Sequence, residues 1–423
     1  MYTNFKVKSK IFLTALGVGL LSGGVGLLFR YLLKAGFTFI SSHDAYILFY
    51  TFLPLTMFVV VASIRRFGLQ EDNQGFGVSQ VMYEIEFIKT RLMSPTSVAL
   101  KTFGTFITLL SGFTVGIHGP ITHLGGAIGS NLAFRFKMSE DDTRVLIGCG
   151  VAGCMAAAFK APIFATLFVV EVIFKKRYFD MMGTILLASI SGYFITRFFD
   201  SEPLMHVASL QTKIDLTYIP HFVLLGLAMG LVACLYVKSI QLCNKIFNRL
   251  FKSIYFKAAI GSLVYVLIYS LIDKNFTYGI QLQDLISRDY SVTFWLVIAL
   301  GFIGLTSITL ASGGLGGLFA PGLYIGFSFG MVVSYFHPLG YSSPMVLGYV
   351  CMAAMFSGFA LAPLTAAFMI VEFTGQYQLA LPTLIACLAA STLSEILIKE
   401  SIYHINLNRL IANSMLSFKS KNL

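Results

Sequence analysis

Long apolar runs broken by short polar or glycine-containing stretches set the pattern of this chain. The runs Ile11–Leu33, Ala45–Ile64, Met181–Thr196, Phe222–Leu242, Phe256–Ile272 and Leu379–Leu397 approach membrane-spanning length and predict helices. Other apolar runs are shorter and interrupted by Gly or Pro, which predicts segments that start or stop inside the bilayer. Such breaks are tolerated only where the opened backbone is buried in protein or lines a cavity. The expectation is an all-helical membrane protein with several spans.

The same pattern occurs twice. Gly116-Ile117-His118-Gly119-Pro120 has a distant copy in Gly317-Leu318-Phe319-Ala320-Pro321, and the two prolines are 201 residues apart. One step of that size also carries Gly125 onto Gly326, Gly129 onto Gly330, Pro162 onto Pro363 and Glu171 onto Glu372. Each Ala-Pro opens an apolar run that reaches a glutamate nine residues after the proline. An ungapped register of this kind predicts an internal duplication. The chain then reads as one transmembrane domain over residues 1–423, with repeat one at about 45–200 and repeat two at about 222–400. A polar connector covers about 200–217, and a tail contains Tyr403. Ser139-Glu140-Asp141-Asp142 has the acids of a helix N-terminal turn. Small residues from Gly148 to Ala158 permit close helix approach in lipid.

Composition agrees with the pattern. Of 423 residues, 57% are hydrophobic and 12% charged, too little charge for the surface of a soluble protein of this size. The net charge of +11 does not indicate nucleic acid, because the basic residues cluster at the ends of apolar runs. Lys6, Lys8 and Lys10, Arg65 and Arg66, and Lys175, Lys176 and Arg177 are placed to face anionic lipid headgroups. With Lys419 and Lys421 after the last run, they put both termini in the cytoplasm, and the expected location is the cell (inner) membrane. No signal-peptide cleavage pattern follows the first run. The six cysteines form no Cys-x-x-Cys pair and read as packing residues.

Three glycine-flanked breaks precede apolar helices: Gly75-Phe76-Gly77-Val78-Ser79, Gly116–Pro120 and Gly317–Pro321. Proline suits the first turn of a helix, and glycine permits a sharp backbone approach before it. The free amides and dipole at such an end attract an anion. Broken helices from two repeats that meet at mid-membrane would hold an anion without needing a full positive charge.

These residues resemble the CLC family of chloride channels and chloride/proton exchangers over nearly the whole membrane domain. Gly116–Pro120 is similar to its Gly-Lys/Arg-Glu-Gly-Pro motif and Gly317–Pro321 to its Gly-x-Phe-x-Pro motif. Ala362-Pro363-Leu364-Thr365 through Glu372, then Tyr377-Gln378-Leu379-Ala380-Leu381-Pro382, are also CLC-like. The resemblance implies two inverted-topology repeats of broken, tilted helices and a homodimer with one pore per subunit. It implies chloride or a similar small anion as substrate, with no cofactor. The pathway would be lined by amides of Ile117, His118, Gly119, Leu318 and Phe319, by the Gly75–Gly77 break, and by the hydroxyl of Tyr403. Lys101, seventeen residues before His118, would supply electrostatic support.

Three departures from the family pattern bear on mechanism. His118 stands where the family has its gating glutamate. A histidine cannot mimic a bound anion, being neutral or, below its ordinary pKa of about 6.5, positive. The second of the paired acids in the family's exchangers, the internal proton acceptor, is here Val172. With neither carboxylate, the expectation is passive chloride conduction or uncoupled transport. The alternative is a coupled anion/proton antiporter with a non-standard proton route, through His118 itself. The third departure is Phe76, in place of a serine that would donate to the anion. That loses a bond to a charged group, on the order of 1.5–3 kcal/mol, of which the ring edge can recover part. The identity of the anion, chloride or fluoride, stays open.

Plainer readings stand beside these. His118 can be a satisfied buried histidine, Glu171 and Glu372 can accept bonds from loop amides, and Phe319 can contribute packing only. Tyr403 can be an interface anchor, and Lys160 is read as snorkelling to the interface. A metal site of His118 with His123 lacks further ligands, and the i, i+5 spacing separates the rings. Ser111 and Ser130 lie near His118 in sequence, but no nucleophile motif surrounds them, so an intramembrane hydrolase is not expected.

Overall fold

The computed structural model describes residues 2–42, 56–57, 59–60, 77–88, 93–175, 177–200, 218–271, 290–336 and 344–421. Most of the Ala45–Ile64 run, Gly75, Phe76 and connector residues 201–217 lie outside them. Helices in chain order are α1 (Tyr2–Ser42), α2 (Val78–Glu86), α3 (Pro95–Leu110), α4 (His118–Arg135), α5 (Glu140–Phe159), α6 (Pro162–Phe168) and α7 (Met182–Phe199). The second half adds α8 (Ile219–Leu250), α9 (Ile254–Leu271), α10 (Val292–Ala311), α11 (Phe319–Phe336) and α12 (Met345–Ala360). It closes with α13 (Pro363–Thr374), α14 (Ala380–Ile398) and α15 (Ile402–Lys421). Seven helical stretches among the described residues are long and apolar enough to cross a membrane.

The duplication is visible helix by helix. α4 and α11 begin and end at positions 201 residues apart, and α6 and α13 begin at the same offset. α1 packs against α5 and α7, and α8 packs in the same manner against α12 and α14. Glycine makes the close crossings possible. A Cβ on Gly125 would lie 2.3 Å from the carbonyl oxygen of Gly150, and one on Gly326 would lie 2.6 Å from that of Cys351. These two contacts are the same contact in the two repeats, α4 on α5 and α11 on α12. Small residues here let backbones touch where lipid offers no hydrophobic drive for association.

Between α5 and α6, and again between α12 and α13, the chain turns through a left-handed residue, Lys160 and Leu361, each at φ 54°. Proline follows two residues later, at the first position of the next helix, where its missing N–H costs nothing. At the start of α5, Ser139 accepts a bond from the Asp142 amide at 3.2 Å, and the three acids of that turn face the positive end of the dipole. All six cysteines are free thiols, five of them buried.

The reading of Lys160 as a snorkelling residue is corrected here. Its ammonium is 2.8 Å from Asp200 with a side chain only 7% exposed, and Arg30 approaches the same carboxylate at 3.4 Å. The left-handed corner turns the side chain inward, where an acid at the end of α7 receives it.

Candidate functional site

The two repeats are joined at their breaks. Gly116 N–H donates to the Gly317 carbonyl at 2.7 Å, and Gly317 N–H donates back to Gly116 at 2.7 Å. This antiparallel pair precedes α4 and α11 by two residues on each side, so both helix starts are pinned to one place. An α-helix leaves its first amides without partners inside the helix, and here two such sets come from neighbouring points. The start of α2 joins them. Gly77 sits at φ 60° against Gly119, whose carbonyl oxygen would lie 2.1 Å from any Cβ placed there, so that position accepts only glycine.

His118 opens α4 and is 1% exposed. Its ring stacks on Phe319 with centroids 4.7 Å apart and meets Phe168 edge-on at 4.5 Å, with Phe159 at 5.9 Å. Neither ring nitrogen has a hydrogen-bond partner among the described residues. For the plainer reading of it as a satisfied buried histidine, the described residues supply no partner. Phe319 is the repeat-two counterpart of His118 and forms the face on which the imidazole lies.

Tyr403 reaches the same region from the start of α15. It is 1% exposed, its hydroxyl has no partner among the described residues, and its ring stands edge-on to Phe168 at 6.2 Å. Its backbone carbonyl accepts from the Ser79 hydroxyl at 2.8 Å, which ties α15 to the first turn of α2. So Tyr403 is no interface anchor. Phe168 lies between Tyr403 and His118, and it was not picked out from the sequence, where it is one apolar residue in an apolar run. Tyr236 was missed as well; its hydroxyl donates to the Leu318 carbonyl at 3.4 Å and steadies the turn before α11.

Lys101 is 9% exposed and faces a recess of about 20 Å³ bounded in part by Gly77, Gly119 and His123. It therefore lies beside the starts of α2 and α4, as electrostatic support requires. Val172 is 2% exposed, in a π-helical segment, Val169–Ile173, that continues α6. The neighbouring Glu171 accepts bonds from the Thr365 amide at 2.8 Å and its hydroxyl at 2.6 Å. Glu372 returns the arrangement, accepting from Ile163 and Phe164 amides at 2.9 and 2.7 Å. Each glutamate thus caps the first turn of the other repeat's helix. The expected loop amides turn out to be helix-start amides, and the Ala-Pro that precedes them was the signal.

Helix starts pinned across a duplication, with polar groups buried between them, are the geometry of the broken-helix class of membrane transport proteins. Residues 56–395 match the sequence profile described as Voltage gated chloride channel, and the chain belongs to this CLC family. It is 29% identical over 329 residues to the H(+)/Cl(−) exchange transporter ClcA of Vibrio parahaemolyticus, covering 75% of this chain and 70% of that one. Its fold matches the crystal structure of a slow cyanobacterial Cl−/H+ antiporter with a TM-score of 0.83 and 23% identity, over 95% of this chain and 98% of the other. A CLC-type fluoride/proton antiporter matches with a TM-score of 0.81 and 22% identity, over 93% and 97% of the two chains. The all-α architecture of inverted repeats with broken helices is that of the family.

Proposed function

We propose that this chain exchanges a small anion, chloride or fluoride, for protons across the membrane, by a proton route that does not use the family's two carboxylates. The observation that carries the reading is His118, a titratable ring with both nitrogens open, held at the start of α4 where the two repeats meet. A neutral imidazole can take a proton at one nitrogen and release it from the other. The faces and edges of Phe319, Phe168 and Phe159 lie within about 6 Å, close enough for cation–π support of the charged ring. The exchange activity named for the Vibrio relative and for both structural neighbours supports coupling over passive flow.

In this reading the anion is held by first-turn amides of Ile117, His118, Gly119, Leu318 and Phe319 and by the Tyr403 hydroxyl. Lys101 raises the local potential. Phe76 and Gly75 flank the third break. The chain works as a homodimer in the cell membrane with both termini on the cytoplasmic side.

Passive conduction is the second reading. It is favoured by the buried, apolar Val172 at the position of the family's internal proton acceptor. Liposome flux separates the two. With chloride, fluoride and nitrate tested in turn, and pH and voltage recorded together, exchange requires protons to move against the anion gradient. Anion flux with no proton movement would leave the passive reading standing.

A further inference from the structure

Two basic side chains lie near the helix starts, Lys101, already given an electrostatic role, and His123, which the site as described does not use. Lys101 of α3 is 9% exposed and His123 of α4 is 6% exposed. Neither side chain makes a hydrogen bond to the described residues, and their nitrogens are not among the fully enclosed ones. Both line the recess of about 20 Å³ bounded also by Gly77, Gln80, Gly119 and Pro120. A space of roughly 10–15 Å³ or more, with polar walls, takes one water molecule.

We propose that this recess holds a single water bridging Lys101 to His123, and that the pair is a proton-binding station beside the anion path. The proposal rests on the exchanger reading, for which it supplies a second protonatable group after His118. The chemistry of the pair fits such a guest. An ammonium only donates hydrogen bonds, while a neutral imidazole has one donor and one acceptor nitrogen. Water can accept from Lys101 and donate to His123. One proton then passes from the ammonium to the water oxygen as the water gives another to the imidazole. The lysine becomes neutral, the histidine becomes cationic, and the total charge is unchanged.

Position makes the station relevant to transport. Gly77 and Gly119, which wall the recess, belong to the starts of α2 and α4. A positive charge here favours an anion at those helix ends, and by reciprocity the anion favours the charge. The other titratable groups are few among the described residues. Glu84 of α2 acts electrostatically on Lys101, His118 precedes His123 on α4, and Leu315 and Gly316 contribute no charge from the second repeat.

The test compares full-length wild type, His123→Gln, His123→Phe and Lys101→Met in liposomes, with anion and proton movement recorded together. Gln keeps polar bonding but carries no proton, so it separates titration from packing. The number of protons moved per anion should fall towards zero for both His123→Gln and Lys101→Met. A ratio equal to wild type in the Gln variant would overturn the station. Should wild type itself move no protons, the exchanger reading fails. The station is then judged by anion flux at symmetric pH. It requires a pH dependence in wild type that His123→Gln loses, and identical profiles would overturn it. His123→Phe, which fills the recess, should behave as the Gln variant does; wild-type behaviour there also counts against the proposal.

Discussion

His118 and Phe319 occupy the same position in the two repeats and lie face to face, ring centroids 4.7 Å apart at an interplanar angle of 21°. The duplication thus places one titratable and one inert ring at a pseudo-symmetric contact, directly after the Gly116–Gly317 pair. Symmetry is kept in the backbone and broken in the side chains, and the chemistry follows from that break.

Replacing His118 tests the titratable half of the stack. His118→Ala should flatten the pH dependence of anion flux while leaving the order of anion preference in place, because the helix amides remain. His118→Glu restores the family's acid, and its proton-to-anion ratio should be at least that of wild type. Flux measured across a pH series in liposomes checks both.

Tyr403→Phe removes only a hydroxyl that has no partner among the described residues. If that hydroxyl donates to the anion, its loss weakens anion binding by about 1.5–3 kcal/mol, roughly tenfold or more in affinity. Folding stability should be unchanged or slightly raised, since an unpaired buried group disappears. Titration calorimetry with the anion and a thermal melt in detergent give the two readouts.

The glutamate clasp predicts matched defects. Glu171→Gln and Glu372→Gln each replace a charged acceptor by a neutral one at a helix start, at a cost of about 1 kcal/mol for each bond weakened. Both should lower the melting temperature by similar amounts. A shift in only one would mean that the two caps are not equivalent.

Gly125→Val would drive a side chain into the Gly150 carbonyl, and Gly326→Val into that of Cys351. Overpacking of this kind costs about 1–3 kcal/mol or more, and both variants should lose monodisperse protein on gel filtration. Gly24→Ala, where a Cβ meets nothing within 4 Å, should behave as wild type.

Much of this was legible in the sequence. The 201-residue register marked Gly116 and Gly317, Pro162 and Pro363, and Glu171 and Glu372 because each is a backbone or capping requirement repeated in both halves. Such requirements leave fixed residue types at fixed spacing. What escaped notice depends on long-range packing. Phe159 and Phe168 look like any apolar residues in an apolar run, and only the fold brings their rings to His118. Lys160 has charge at a helix end, which in sequence reads as snorkelling; its acid, Asp200, is 40 residues away. The passive expectation rested on two missing carboxylates, His118 and Val172 in their places. It put the proton route through His118 second and did not consider lysine as a proton carrier.

The most direct measurement is the anomalous scattering of bromide in crystals of the protein. The account predicts a bromide peak in the space shared by the starts of α4 and α11, within hydrogen-bond reach of their first amides and the Tyr403 hydroxyl. Bromide transported by the same preparation but found only at sites remote from both helix starts would contradict it.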